Sequence, residues 1–170
     1  MNSDILNQFT YGMYAVGVKG ENGPSACICT SVSQVSPMPD CRISVCMSRE
    51  NYSHACIERT GIFSVSILSK NTSGAVIGAL GFTSGRFGGK LKNIRHRVLR
   101  EGVPVIKEDT CCWVLCQVVG KADAGTHTIF IGKVLAGSES FVGEPMTYED
   151  YRTQIKGVPA RNAPIYLPQA

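Results

Sequence analysis

The stretch CICTSVSQVSPMPDCRISVCMSRENYSHAC, residues 27–56, holds five of the chain's eight cysteines, a run of hydroxyls and a histidine. Three kinds of chemistry use such residues: metal ligation by thiolates, thiol redox exchange, and a polar pocket lined by hydroxyls and backbone N–H groups. Structural zinc sites usually offer two C-x2-C pairs, because a two-residue spacer lets one tight turn present both thiolates to a tetrahedral ion. The sequence contains no such pair. Cys27 and Cys29 flank Ile28 in alternating sequence, so their thiols share one strand face. Cys41 and Cys46 differ by an odd offset and point to opposite sides of theirs. Cys112 and Cys116 share a face of the apolar run CCWVLCQVV, which also holds Cys111. These positions read as small buried hydrophobes rather than metal ligands, a common role for cysteine. His54, alone on a short helix, reads as a surface or cap residue.

The hydroxyls offer more. Thr30, Ser31 and Ser33 end a strand, and SRENYS, residues 48–53, places Ser48, Arg49, Asn51, Tyr52 and Ser53 where a strand turns into a helix. A helix N-terminus with hydroxyls and a cation suits a phosphate, because its free N–H groups and dipole favour an anion. The same serines also serve as ordinary caps. The densest positive run, KLKNIRHRVLR at residues 90–100, is amphipathic and followed by Glu101. It reads as a solvated face or the mouth of an anionic small-molecule site. None of the usual nucleic-acid reading modules surrounds it, and no nucleic-acid partner is expected.

Strands must position these groups. Residues 11–19 read as a strand, ENGP at 21–24 as a turn, and residues 25–33 as a second strand completing a hairpin. Residues 42–48 form a third strand and residues 52–59 a short helix stopped by Gly61. FSVSIL at 63–68 alternates apolar and hydroxyl residues, the period of a half-buried strand. Residues 72–80 form a short helix of small residues, and the glycine-rich GFTSGRFGG at 81–89 is expected to be a mobile surface loop. Strands at 103–106, 110–119 and 126–136 follow. Thr147 caps a last helix before a proline-broken tail at 157–168. Many strands and few short helices indicate a mainly β fold, a barrel with helical insertions rather than a doubly wound sheet. Neither a strand–G-x-G-x-x-G–helix unit nor a P-loop is present.

With 170 residues, 44% of them hydrophobic, the chain is expected to form one domain over residues 1–170. Its start, MNSDILNQFTYGMY, lacks the basic and apolar segments of a signal peptide, and no apolar run approaches the roughly 18 residues that span a bilayer. Eight cysteines in such a chain suit a reducing cytosol such as that of an anaerobe. A cytoplasmic protein with no membrane association is expected.

Three segments in order, GPSACICTSVSQVSPMP (23–39), ISVCMSRENYSH (43–54) and TGIFSVSILS (60–69), resemble the flavin reductase-like, FMN-binding split-barrel family. GTHTIFIGKV at 125–134 resembles that family's G-D-H-x-x-x-x-G-x-V signature, with Thr126 in place of the aspartate. The tail, residues 151–166, is similar to that of the flavoredoxins and of the flavin domain of high-molecular-weight rubredoxins. The resemblance implies a split β-barrel homodimer that binds FMN near the subunit interface and uses NADH or NADPH as reductant. Thr30, Ser31 and Ser33 would lie against the flavin ring and ribityl chain, with Cys29 directly before them. Ser48, Arg49 and Ser53 would hold ribityl and phosphate, assisted by Asn51 and Tyr52. Ser84, Gly85 and Arg86, with Lys90, would belong to the loop covering the cofactor, and His127 would face the nicotinamide. No catalytic side chain is implied, since the flavin carries the chemistry. The implied activity is hydride transfer from NAD(P)H to flavin and electron transfer onward to free flavin, a rubredoxin-like protein or another small acceptor. The alternative is an FMN electron-carrier module without direct NAD(P)H turnover. With no C-x-x-C knuckles in the sequence, an iron-containing acceptor is expected to be a separate protein.

Overall fold

The computed structural model describes residues 3–166, apart from the side chains of Ser3, Asp4 and Asn7. β1 (Tyr14–Gly20) and β2 (Gly23–Cys29) form the expected hairpin. β3 (Val32–Ser36) pairs with β4 (Arg42–Ser48), and α1 (Tyr52–Thr60) leads to β5 (Ile62–Leu68), which returns to β1. α2 (Gly74–Phe82) precedes a small hairpin of β6 (His96–Val98) and β7 (Pro104–Ile106). The long strands β8 (Thr110–Ala124) and β9 (His127–Gly137) follow, and α3 (Tyr148–Asp150) runs into a π-type turn at Tyr151–Ile155. Seven strands make one antiparallel sheet in the order β2-β1-β5-β8-β9-β4-β3.

β2 and β3 sit at opposite ends of that order, yet only Thr30 and Ser31 separate them in the chain. From Cys29 to Val32 is three residue steps, which reach at most about 11 Å. The sheet therefore cannot stay open and must curl until its edges meet. They meet where Cys46 N donates to Ser31 O (2.9 Å) and Cys29 Sγ donates to Cys46 O (3.4 Å), with no ladder between β2 and β4. The expected barrel is thus present, but residues 25–33 form two strands rather than one. The break is the price of crossing the seam.

Alternation along the strands sorts the core. Val16, Val18, Cys27, Cys29, Val45, Met47, Phe63, Val65, Cys116 and Phe130 pack together with Cys56 and Ile57 of α1. Ser64 and Ser66 of β5 face away from this cluster and are nevertheless buried. β7 lies over them: Ser64 Oγ donates to Pro104 O, and Ile106 N donates to Ser66 Oγ at 3.0 Å. β5 is therefore covered on both faces, not half-buried as its alternation suggests, because its outward hydroxyls satisfy the backbone of the covering hairpin.

Helix ends follow local rules. Asn51 caps α1 by accepting from Ser53 N (2.9 Å), and Gly61, at φ 67°, ends it by donating to Ile57 O. Thr147 and Asp150 form a reciprocal capping box on α3. Two departures from the sequence reading are extensions: α2 runs to Phe82, and β8 continues to Ala124 because pairing with β9 persists to the turn at Gly125.

Gly17 of β1 faces β7 so closely that any Cβ would overlap Pro104 O. Gly17→Ala is expected to destabilise the protein by about 1–3 kcal/mol, the cost of overpacking against backbone. Gly78 on α2 has open space around it, so Gly78→Ala should stabilise by roughly 0.5–1 kcal/mol. Urea unfolding of both variants checks the pair.

Candidate functional site

A cavity of about 340 Å³ opens beside the seam. Its floor comes from the ends of β2 and β4, one wall from the start of α1, and the opposite wall from the end of α2 and the loop after it. Tyr148, Tyr151 and the segment at residues 158–165 complete it. Nine of the residues singled out in the sequence line this space: Cys29, Thr30, Ser48, Asn51, Tyr52, Ser53, Ser84, Gly85 and Lys90. Ser31, Ser33, Arg49, Arg86 and His127 lie outside its lining. Ser33 is exposed on β3, and Arg86 is exposed with its carbonyl accepting from Asn22 Nδ2 at 2.9 Å. Arg49 is turned toward Asp123, its guanidinium 2.9 Å from Oδ1.

Several polar groups in and around the cavity lack protein partners. Thr30 Oγ1 and Ser25 Oγ are buried with no hydrogen-bond partner among the described residues, whereas buried hydroxyls are normally paired. The backbone N–H groups of Thr30 and Ser31 also find no acceptor among the described residues, since the crossover leaves both residues outside the ladders. Gly85 approaches so closely that a Cβ there would overlap Ser25 Oγ and come within 2.8 Å of the Tyr52 ring. Burial holds the Lys90 ammonium below the usual lysine range, opposed by the nearby Cys27 thiol, and no carboxylate pairs with it among the described residues. A desolvated cation, unsatisfied hydroxyls and free N–H groups together suit an anionic, hydrogen-bonding ligand. The hydroxyl of Ser48 and the amide of Asn51 are partly committed, since they accept from Glu50 N (3.3 Å) and Ser53 N (2.9 Å).

The thiols of the floor are in a different state. Burial pushes the Cys27 thiol up and the Cys29 thiol far above its usual range, and pushes Cys116 up to about 12. Such thiols stay protonated at neutral pH and are poor nucleophiles. Cys27 Sγ rests 3.8 Å from Met47 Sδ, a packing contact. Among the described residues no three His, Cys, Asp or Glu side chains converge as a metal site.

His127 sits directly across the β4–β9 ladder from Ser48. Its Nδ1 lies 2.9 Å from Thr126 Oγ1, and its buried Nε2 has no partner among the described residues. The Thr126 hydroxyl, at the position the signature gives to an aspartate, thus orients the ring. Asp123, three residues earlier, accepts from Gly125 N (2.8 Å) and pairs with Arg49. His54 Nε2 is 2.8 Å from Thr128 Oγ1, and burial lowers this histidine's pKa.

The residues that sequence reasoning missed as site lining are mainly Tyr148, Tyr151 and the segment behind them. Lys156, at φ 56°, reverses the chain, Gly157 packs where a Cβ would strike the Tyr151 ring, and Tyr151 OH donates to Val158 O at 3.1 Å. Only the Lys156-Gly157 pair hints at this return in the sequence. From the thiol environments, iodoacetamide at mildly alkaline pH should leave Cys27, Cys29 and Cys116 unmodified in the folded protein and label them after urea denaturation. Peptide mass spectrometry reads the outcome, and labelling of Cys29 in the native protein would contradict its buried, protonated state.

Comparison with known proteins fits this geometry. Residues 6–157 match the flavin reductase like domain. The chain is 29% identical to the ferric-chelate reductase (NAD(P)H) of Archaeoglobus fulgidus, over 98% of each chain. It is 30% identical to the high molecular weight rubredoxin of Moorella thermoacetica, over 98% of this chain and 72% of that one. Among solved structures, nitrilotriacetate monooxygenase component B from Mycobacterium thermoresistibile superposes with a TM-score of 0.70 at 25% identity, covering 93% of this chain and 88% of the other. The barrel, its cavity at the seam and these matches together show that the chain belongs to the flavin reductase like domain family.

Proposed function

We propose that residues 1–170 form one FMN-binding oxidoreductase unit that takes a hydride from NADH or NADPH. The electrons then pass to free flavin or to a small acceptor protein. The observation that carries this reading is the seam cavity, lined by both a desolvated Lys90 with no ion-pair partner among the described residues and the unsatisfied Thr30 hydroxyl, in a chain of this family. The names of two relatives, a ferric-chelate reductase (NAD(P)H) and a flavin reductase (NADH) from Kitasatospora aureofaciens, support the reductant class. No helix among the described residues is long and apolar enough to cross a membrane, in keeping with action on small or mobile partners. A cytoplasmic location and a homodimer with the cofactor near its interface complete the proposal.

Bound FMN supplies the redox chemistry, accepting a hydride and releasing electrons singly or in pairs. The chain's own residues bind and orient. Lys90 is the cation facing the cavity, so it neutralises the phosphate, while Arg49 is engaged by Asp123 and serves the rim. Asn51, Tyr52 and Ser53 bring the positive end of α1 to the same anion. Thr30, in the lining, has its Oγ1 and its N–H free to hydrogen-bond the ring's polar edge, which stabilises negative charge gathered there. Gly85 keeps the covering loop close without a side chain in the way. Tyr148 and Tyr151 exclude water from one side. Ser31, Ser33, Arg86 and His127, outside the lining, act at the rim, with the buried, unpaired Nε2 of His127 offering a hydrogen bond on the nicotinamide side.

The carrier reading, in which FMN is retained but NAD(P)H is not turned over, is favoured by one observation. Beside His127 stands the neutral Thr126 hydroxyl instead of a carboxylate. Anaerobic visible spectra separate the readings: rapid bleaching of bound flavin by NADH or NADPH identifies a reductase and its donor, whereas flavin that stays oxidised identifies a carrier. A protein that binds no flavin would refute both.

The lowered pKa of Lys90 sets a pH dependence. The free protein loses the Lys90 proton at a lower pH than an ordinary lysine, so FMN affinity should fall as pH rises through that lowered value. Lys90→Arg, which stays charged, should flatten the fall, and Lys90→Gln should weaken binding about tenfold or more at neutral pH, the loss of one charge-assisted hydrogen bond. Fluorescence titration with FMN across pH measures all three proteins.

A further inference from the structure

The strongest charge asymmetry in the molecule lies beside the cavity. Residues 86–107 hold seven of the chain's 17 Lys and Arg and one of its 13 Asp and Glu, which leaves the remainder slightly acidic. Among the described residues none of those seven cations enters an ion pair, whereas Arg42, Arg49, Arg59, Lys70, Lys121, Lys133 and Arg152 elsewhere all do. Glu108, at the border, spends a carboxylate oxygen on Arg95 N at 3.0 Å.

The fold gathers these charges into one face. Leu91 and Ile94 are buried in the core, which leaves Lys92 and Arg95 exposed between and beyond them. The β6–β7 hairpin continues the face, with Lys107 N donating to Arg95 O at 2.8 Å. Arg86 is tied to the β1–β2 turn through Asn22, and Gly102 of the hairpin packs against Lys19. Among the cations stands Phe87, 91% exposed on the glycine-rich loop beside Gly88 and Gly89. An exposed aromatic side chain in a stretch of chain rich in exposed cations outside ion pairs has the make-up of an interaction hot spot for an acidic surface. The stretch lines the cavity through Lys90, and Ser84 and Gly85 just before it do the same.

We propose that this face, centred on Phe87 and the exposed cations Lys92, Arg95 and Lys107, is the docking surface for an acidic electron-accepting protein. The electron-accepting identity rests on the flavin reading of the cavity; the preference for an acidic protein rests on the charges alone. A nucleic acid fits less well, because single strands need successive aromatic platforms and the segment offers one exposed phenyl ring. The balance is simple: a hydride brings two electrons and one proton. Two successive dockings each pass one electron to one oxidised acceptor, and the proton leaves to solvent.

The test titrates the full chain with an oxidised, net-acidic rubredoxin at low and high ionic strength, by calorimetry, with and without FMN. The expected result is binding at low salt that weakens at least about tenfold at high salt, and to a similar extent in the Lys92→Glu, Arg95→Glu, Lys107→Glu triple variant. Lys70→Glu and Lys121→Glu, placed elsewhere, should leave it unchanged, and FMN affinity should be the same in every variant. Absence of binding at low salt, or equal binding by the triple variant, overturns the proposal. So does tighter, charge-dependent binding of single-stranded DNA, which would assign the face to nucleic acid. Neither nucleotide nor reduction enters the measurement, so a protein that fails to take up FMN would refute the flavin reading separately.

Discussion

Two residues join the opposite edges of a seven-stranded sheet, and the rest of the molecule depends on that constraint. A join of that reach forces the sheet to close, and closure puts Thr30 and Ser31 where neither ladder can satisfy their N–H groups. In a fold built only for stability such groups would be a liability. Here Thr30 lines a cavity with Ser31 just outside it, and a ligand can satisfy the free N–H of Thr30. The crossover that makes the barrel also makes the site.

The contrast between paired and unpaired hydroxyls divides scaffold from site. Ser64 and Ser66 are fully buried but bonded to β7, so their cost is offset within the fold. Thr30 and Ser25 are buried with no partner among the described residues, on or next to the cavity wall. Lys90 follows the same logic: stability alone would not favour a desolvated ammonium with no counter-ion among the described residues, and an anionic ligand in the cavity would supply the missing charge.

The β6–β7 hairpin serves both sides of the molecule. Its inner residues, Pro104 and Ile106, cover the outer face of β5, and its outer residues carry cations into solvent. The stretch preceding it begins on the cavity wall, so the barrel's covering layer, its cavity-lining loop and its charged face are one continuous piece of chain. Charge outside the cavity is thereby held in register with the charge inside it.

Much of this was legible in the residues. Alternation located β5, apolar runs located β4 and the cores of β8 and β9, and Gly61 and Thr147 marked helix ends through chemistry confined to a few neighbouring residues. The hydroxyl runs around Thr30 and Ser48 are a local signal too, and the resemblance ordered them into one site. Three things were not legible. The break after Cys29 answers to an edge of the sheet supplied by β4, many residues away. The tail's return over the cavity depends on Tyr151 packing against Gly157, and the turning of Arg49 from the cavity depends on Asp123 across the sheet. Residue type, period and spacing by themselves determined the class of fold and the kinds of group available for a ligand, because those follow from short-range chemistry. Which cation faces the cavity, which hydroxyls remain unsatisfied and which charges stand together outside were decided by long-range closure of the sheet, which only the tertiary structure contains.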